Sequence, residues 1–224
     1  IDSYFSATNI KWSIDNIESS KKLLKENRLL FGTIDTWILW KLTEGRSHYT
    51  EATNASRTML YDITKNSWSK NLLKIFNIPA SILPVVKDSV DEFGYTTIFG
   101  SKIKIGGIAG DQQAATIGQA CFEPGSIKST YGTGCFMIMN IGKNIKISKN
   151  NLLTTIAYRI KGKTTYALEG SIFIAGAAIQ WLRDSLKVIS SAEETEDLYK
   201  SNDKSQQIYF CLLYTSDAAD ERCR

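Results

Sequence analysis

The chain has 224 residues, 43% of them hydrophobic, 22% charged and 11% aromatic, with three prolines and a formal net charge of +4. That composition excludes a disordered, collagenous or low-complexity chain, and the length suffices for one large domain or two smaller ones. The lysines stand singly or in pairs beside polar residues, so the positive balance reads as solvated surface and not as a nucleic-acid footprint.

Residues 8–27 predict an amphipathic helix, with Ile10, Ile14 and Ile17 at helical spacing and Leu24 continuing the stripe. Residues 35–44 predict a second helix, capped by Thr33 or Asp35 and closed by Gly45. A short helix over 69–76 stops before Pro79. Residues 102–108 alternate into an apolar strand that ends among Gly106, Gly107 and Gly110, and residues 111–119 form a helix starting at Asp111. After Pro124-Gly125 the pattern turns to a β-meander, with strands over 126–131, 135–140, 152–159 and 164–169. A long helix over 171–188 follows, then an acidic loop or helix surface at 193–196 and a strand over 208–210. The change of texture places a domain boundary near 122–125. The first domain spans 1–121 and the second 126–210, in an α/β or α+β chain. Residues 211–224 resemble nothing before them and read as a non-native tail.

The opening residues read as carrying no secretory signal, and the longest apolar run, 172–179, falls short of the about 20 residues a membrane helix needs. Cys121, Cys135, Cys211 and Cys223 form no CxxC, and the lone His48 completes no zinc set with them. Reduced thiols in a cytoplasmic protein are expected, with no membrane and no nucleic-acid partner. His48 reads as a surface or edge residue.

Four places invite a chemical reading. In Gly107-Ile108-Ala109-Gly110-Asp111-Gln112-Gln113 a strand enters a glycine-rich bend and a carboxylate opens a helix, where negative charge is favoured. A carboxylate beside an amide pair suits a hydroxylated ligand, Asp111 taking a proton; the alternative is that Asp111 only caps the helix. In Tyr131-Gly132-Thr133-Gly134-Cys135-Phe136 a tight turn between strands can aim backbone amides outward at a phosphate, or be an ordinary hairpin turn. Together the two turns would set a proton acceptor and a phosphate cradle across a cleft. Gly162-Lys163-Thr164 imitates the end of a P-loop, but Ala157 stands where that motif needs glycine, so it reads as a hairpin turn. The small residues of Gly176-Ala177-Ala178-Ile179-Gln180-Trp181 serve either close helix packing or a flat ligand.

Longer blocks carry a resemblance. Leu30-Phe31-Gly32-Thr33-Ile34-Asp35-Thr36-Trp37, Thr53-Asn54-Ala55-Ser56-Arg57-Thr58-Met59-Leu60, GIAGDQQAA, STYGTGCFM and YALEGSIFIAGAAIQWLRD (166–184) resemble, in order, the bacterial glycerol kinases of the FGGY family of carbohydrate kinases. The resemblance runs over roughly residues 1–210. It implies a ribonuclease H-like (actin/hexokinase-type) two-domain kinase fold, and Mg²⁺-dependent transfer of the γ-phosphoryl group of ATP to glycerol, giving sn-glycerol 3-phosphate. It implies Asp111 as catalytic base, Tyr4, Gln112 and Phe136 as glycerol contacts, Thr133 with Gly132 at the nucleotide phosphates, and Gly176 and Gln180 beside the nucleotide. A homo-oligomeric parent is expected. Another FGGY sugar or polyol kinase, or a non-catalytic actin-like nucleotide-binding module, are the competing readings.

The departures are specific. The family's Asp-Gly-Thr phosphate hairpin, its glycerol-gripping Arg-Glu pair and its C-terminal adenine site have no counterpart here, so the chain reads as truncated at both ends and inactive alone. Asn9 stands where lysine is common in the family. The segment between Tyr95 and Ile103 lacks the family's Gly-Gly-Thr-Arg loop, which removes the ground for expecting feedback inhibition by fructose 1,6-bisphosphate.

Overall fold

The structure is a computed structural model and describes residues 5–150 and 152–201. In chain order the elements are α1 (Ser6–Asn16), α2 (Glu18–Lys25), α3 (Ile34–Leu42), β1 (Tyr49–Glu51), α4 (Ala52–Ala55), β2 (Tyr61–Asp62), β3 (Ser67–Trp68), α5 (Lys70–Phe76) and β4 (Val85–Lys87). They continue with β5 (Val90–Thr96), β6 (Ile103–Gly107), α6 (Asp111–Gly118), β7 (Ile127–Tyr131), β8 (Cys135–Gly142), β9 (Leu153–Ile160), β10 (Lys163–Ile172), α7 (Gly176–Asp184) and α8 (Glu194–Ser201). Two compact units divide them. The first takes the residues up to 126 together with 139–168; the second takes 127–138 and the described residues from 169 on. Tyr4, the expected strand at 208–210 and the expected tail at 211–224 lie outside the described residues.

Two apolar clusters hold the first unit together. Ala7, Ile10 and Ile14 of α1 meet Leu60, Leu73, Ile78, Ile82 and Leu83. Ala52 and Ala55 of α4 meet Tyr61, Ile141, Ile156 and Tyr166, because α4 lies across β9. Each large side chain buried this way contributes about 1.5–3 kcal/mol. The strands of this unit run in the order β6-β5-β9-β10-β8. β5 is antiparallel to β6 and parallel to β9. β1 and β4 form a separate parallel pair, Tyr49 opposite Val85, and β2 and β3 an antiparallel one. Lys161 and Gly162 connect β9 to β10, both at positive φ, so the turn read at Gly162-Lys163-Thr164 is a hairpin connection. In the second unit β7 follows the outer halves of β8 and β10, and Ile138, Ala178 and Ile189 are buried.

Three expected elements differ. The helix over 8–27 is two helices broken at Ile17, which has extended backbone (φ −102°, ψ 113°) and is 38% exposed, so it is no part of the stripe. Side chains compete for the backbone there: the Ser13 hydroxyl donates to Asn9 O and the Asn16 amide to Trp12 O. The long helix over 171–188 shrinks to Gly176–Asp184, because Ser171 and Ile172 complete β10 instead. β6 is mostly exposed: Ile103 and Ile105 share a face, but Ile103 is 44% exposed. The α5 expectation holds: the Ser69 hydroxyl accepts from the Leu72 amide at 3.3 Å, and Asn77 closes the helix in the left-handed region.

Candidate functional site

In the first unit, β6 leads through residues 108–110 into α6. Gly110 is the N-cap, with extended backbone (φ −60°, ψ 150°), and its carbonyl accepts the first helical bond from the Ala114 amide at 2.7 Å. Asp111 is therefore the first helical residue and not the cap. Its carboxylate is exposed and accepts from the Gln112 amide at 2.7 Å. A carboxylate at the first turn of a helix sits in favourable potential while its outer lone pairs stay open to a ligand. Gln112 beside it is half-buried and Gln113 is buried.

None of Gly106, Gly107 and Gly110 has positive φ, so the bend does not use glycine for an unusual conformation. Glycine serves close approach of the protein's own groups. A Cβ on Gly107 would stand 3.3 Å from Ser89 O, and one on Gly110 would stand 2.6 Å from Gln113 Oε1 and 3.4 Å from Thr53 Oγ1.

Beneath this bend lies a group that the sequence reading passed over. Glu51, at the end of β1, is fully buried. Oε1 accepts from the Thr53 hydroxyl, from the Asn54 amide at 2.8 Å and from the Asn54 side chain at 2.9 Å. Oε2 accepts from the Thr53 amide at 2.8 Å and the Ser89 hydroxyl at 3.0 Å. Burial pushes its carboxyl pKa up, while the hydrogen bonds from Thr53, Asn54 and Ser89 pull it down. Glu51 sits in Tyr49-Thr50-Glu51-Ala52-Thr53, where the usable signal is a lone acid among small and β-branched residues.

In the second unit the Gly132-Thr133-Gly134 turn joins β7 to β8. Thr133 is exposed and Gly134 buried. The Gly132 amide turns inward onto Gly134 O at 2.8 Å, so this amide is not among those the turn can aim outward. The turn's carbonyls meet the start of α7: Ala175 donates to Thr133 O at 2.7 Å, Gly176 to Gly132 O at 2.9 Å and Ala177 to Thr133 O at 3.2 Å. These amides are among the donors a helix start leaves unpaired, and the turn satisfies them. The approach leaves no room for side chains. A Cβ on Gly176 would lie 2.6 Å from Gly132 O, and one on Gly134 would lie 2.6 Å from Ile172 O. Close packing is thus the structural use of Gly176. Phe136 is half-buried and meets Phe173 edge-on, ring centroids 6.5 Å apart, and Gln180 is exposed on α7.

His48 is half-buried, its Nε2 2.7 Å from Phe31 O, in keeping with an edge position. Among the described residues no three His, Cys, Asp or Glu side chains gather as a metal cluster, and no helix is long and apolar enough to cross a membrane.

Comparison with known proteins assigns the architecture. The pattern of the FGGY family of carbohydrate kinases, N-terminal domain, matches residues 1–118, and that of the family's C-terminal domain matches 127–222. A glycerol kinase of Chelativorans sp. (strain BNC1) is 60% identical over 211 residues, covering 93% of this chain and 42% of that protein. The crystal structure of Plasmodium falciparum glycerol kinase with ADP superposes with a TM-score of 0.83 at 40% identity, over 90% of this chain and 41% of that one. A ligand-bound xylulose kinase from Lactobacillus acidophilus, 19% identical with a TM-score of 0.72 over 89% of this chain and 40% of that one, shares the fold. The chain spans under half the length of the curated relatives it matches. Its α/β, ribonuclease H-like architecture and its sequence agree: the chain belongs to the FGGY family of carbohydrate kinases.

Proposed function

We propose that the protein carrying this chain transfers the γ-phosphoryl group of ATP to glycerol, in the cytoplasm, with sn-glycerol 3-phosphate and ADP as products. The observation that carries this reading is Asp111: an exposed carboxylate at the first position of α6, relieved of capping by Gly110. The names of the relatives support glycerol as acceptor.

In this mechanism Asp111 accepts the proton of a terminal glycerol hydroxyl as that oxygen bonds to the γ-phosphorus and the bond to the ADP oxygen breaks. Gln112, Phe136 and Tyr4 contact glycerol, Gln112 through its amide and Phe136 as an apolar wall. Thr133 and Gly132 lie at the nucleotide phosphates, with Gly176 and Gln180 beside the nucleotide. Mg²⁺ is commonly bound through substrate phosphates together with one or two carboxylates, and here it would be carried by the ATP phosphates, which leaves the Asp111 carboxylate for the hydroxyl proton. When bound, the ion neutralises charge on the phosphoryl oxygens.

The test is a coupled ADP-release assay on a full-length protein carrying this sequence, with glycerol, xylulose and gluconate as acceptors. Glycerol-dependent turnover that Asp111→Asn abolishes supports the reading. Turnover with xylulose or gluconate in place of glycerol, or full turnover in Asp111→Asn, overturns it.

A further inference from the structure

The bend before Asp111 is anchored at two points, and both anchors end on one side chain. At one point the Gly110 amide donates to Thr53 Oγ1 at 2.9 Å. The Thr53 hydroxyl spends its proton on Glu51 Oε1, which leaves its lone pairs for Gly110. At the other point the Ile108 amide donates to Ser89 O at 3.0 Å, and the Ser89 hydroxyl donates to Glu51 Oε2 at 3.0 Å. Ser89 is itself fixed to β9: its amide donates to Arg159 O at 2.8 Å, and its hydroxyl accepts from the Arg159 amide at 3.2 Å. Residues 108 and 110 are thus each one hydrogen-bonded residue away from a separate oxygen of a carboxylate that no solvent reaches.

We infer that Glu51 and Thr53 are positioning residues for Asp111: the buried Glu51 carboxylate orients the Thr53 hydroxyl, the hydroxyl fixes the Gly110 amide, and the fixed N-cap sets where the Asp111 carboxylate stands. This inference rests on Asp111 being the proton acceptor. A local structural glutamate would need only its bonds to Thr53 and Asn54. The span from residue 51 to 89 and, through Thr53, to 110 is what makes the cluster a support for the bend.

The chemistry demands such a support. A displacement of about 1 Å in a reacting group, caused by a change away from the chemistry, can cost on the order of a hundredfold in rate. Thr53→Val keeps the shape of the side chain and removes the hydroxyl, leaving the Gly110 amide without its acceptor; Thr53→Ser keeps the hydroxyl. In a full-length protein carrying this sequence, Thr53→Val is expected to lower kcat by about 10- to 100-fold with KM for glycerol and ATP held within about threefold, and Thr53→Ser to restore kcat to within about threefold. Should Thr53→Val fail to fold, Glu51→Gln, which keeps one accepting oxygen, is expected to show the same split between kcat and KM with a smaller loss. Folded variants that keep kcat within twofold, or a Thr53→Ser variant as impaired as Thr53→Val, would overturn the inference. Asp111→Asn, assayed alongside, separates the two claims. If it is inactive while Thr53→Val is unimpaired, the support fails and the proton acceptor stands; if it is fully active, the proton acceptor itself fails, and the inference with it.

Discussion

Asp111 makes one backbone hydrogen bond and is exposed, so Asp111→Asn removes little that holds the chain together. Stability is expected to stay within about 0.5 kcal/mol of the parent in a thermal melt, while kcat falls by about 10²- to 10⁴-fold in the coupled assay. The place of Asp111 at a helix start was legible because its signals are adjacent in sequence: glycines, then an acid, then helix formers. Glu51 was not, because half of its meaning lies at Ser89 and Gly110, which only the fold brings to it. Its burial gives a second measurable consequence. A carboxyl whose folded-state pKa is raised binds its proton more tightly in the folded chain, and that contribution is complete below the ordinary value of 4.5 and is lost as pH rises through the raised one. Glu51→Gln has no proton to lose there. Urea unfolding of the parent and the variant from about pH 4.5 upward is expected to show the gap in stability between them narrowing as pH rises.

Elements with a clean period and local punctuation were legible: α5 ahead of Pro79, α6 after its bend, and the β9–β10 connection at Gly162. Those that answer to distant partners were not. β1 and β4 have three residues each and pair across 36 positions, too short for any period to show. The apolar run 172–179 suits a strand or a helix equally; what ends β10 and starts α7 is the docking of the Ala175, Gly176 and Ala177 amides on the turn at 132–134. That docking yields a paired test. Gly176→Ala puts a methyl group 2.6 Å from a backbone oxygen, whereas at Gly118, near the end of α6, a Cβ would meet nothing within 4 Å. Gly176→Ala is expected to cost about 1–3 kcal/mol and to weaken ATP binding, measured by melting and by nucleotide titration. Gly118→Ala is expected to be neutral or stabilising by up to about 1 kcal/mol.

At the scale of the molecule, the first unit holds its strands with polar as well as apolar contacts. Arg159 of β9 is 9% exposed and donates to Asp88 through Nε at 2.5 Å, to the Tyr61 hydroxyl at 2.8 Å and to Val86 O at 3.3 Å. Asp88 also accepts from the Gly162 amide at 2.6 Å, so one ion pair joins β2, the β4–β5 connection, β9 and the turn beyond it. Burial raises the Tyr61 pKa despite the opposing pull of the Arg159 charge, and the net rise keeps the phenol a neutral acceptor. Arg159→Leu strands the Asp88 charge and is expected to lower stability by about 3–5 kcal/mol, read as a fall in the urea midpoint. Replacing both members with apolar residues of similar volume is expected to recover most of that loss, because the desolvation of two ions disappears with them. Sequence drift at this spot is therefore ratcheted. Either charge mutated alone leaves a chain short of much of the 5–15 kcal/mol on which a folded domain ordinarily depends, so a lineage that holds the pair can abandon it only by changing both positions almost at once.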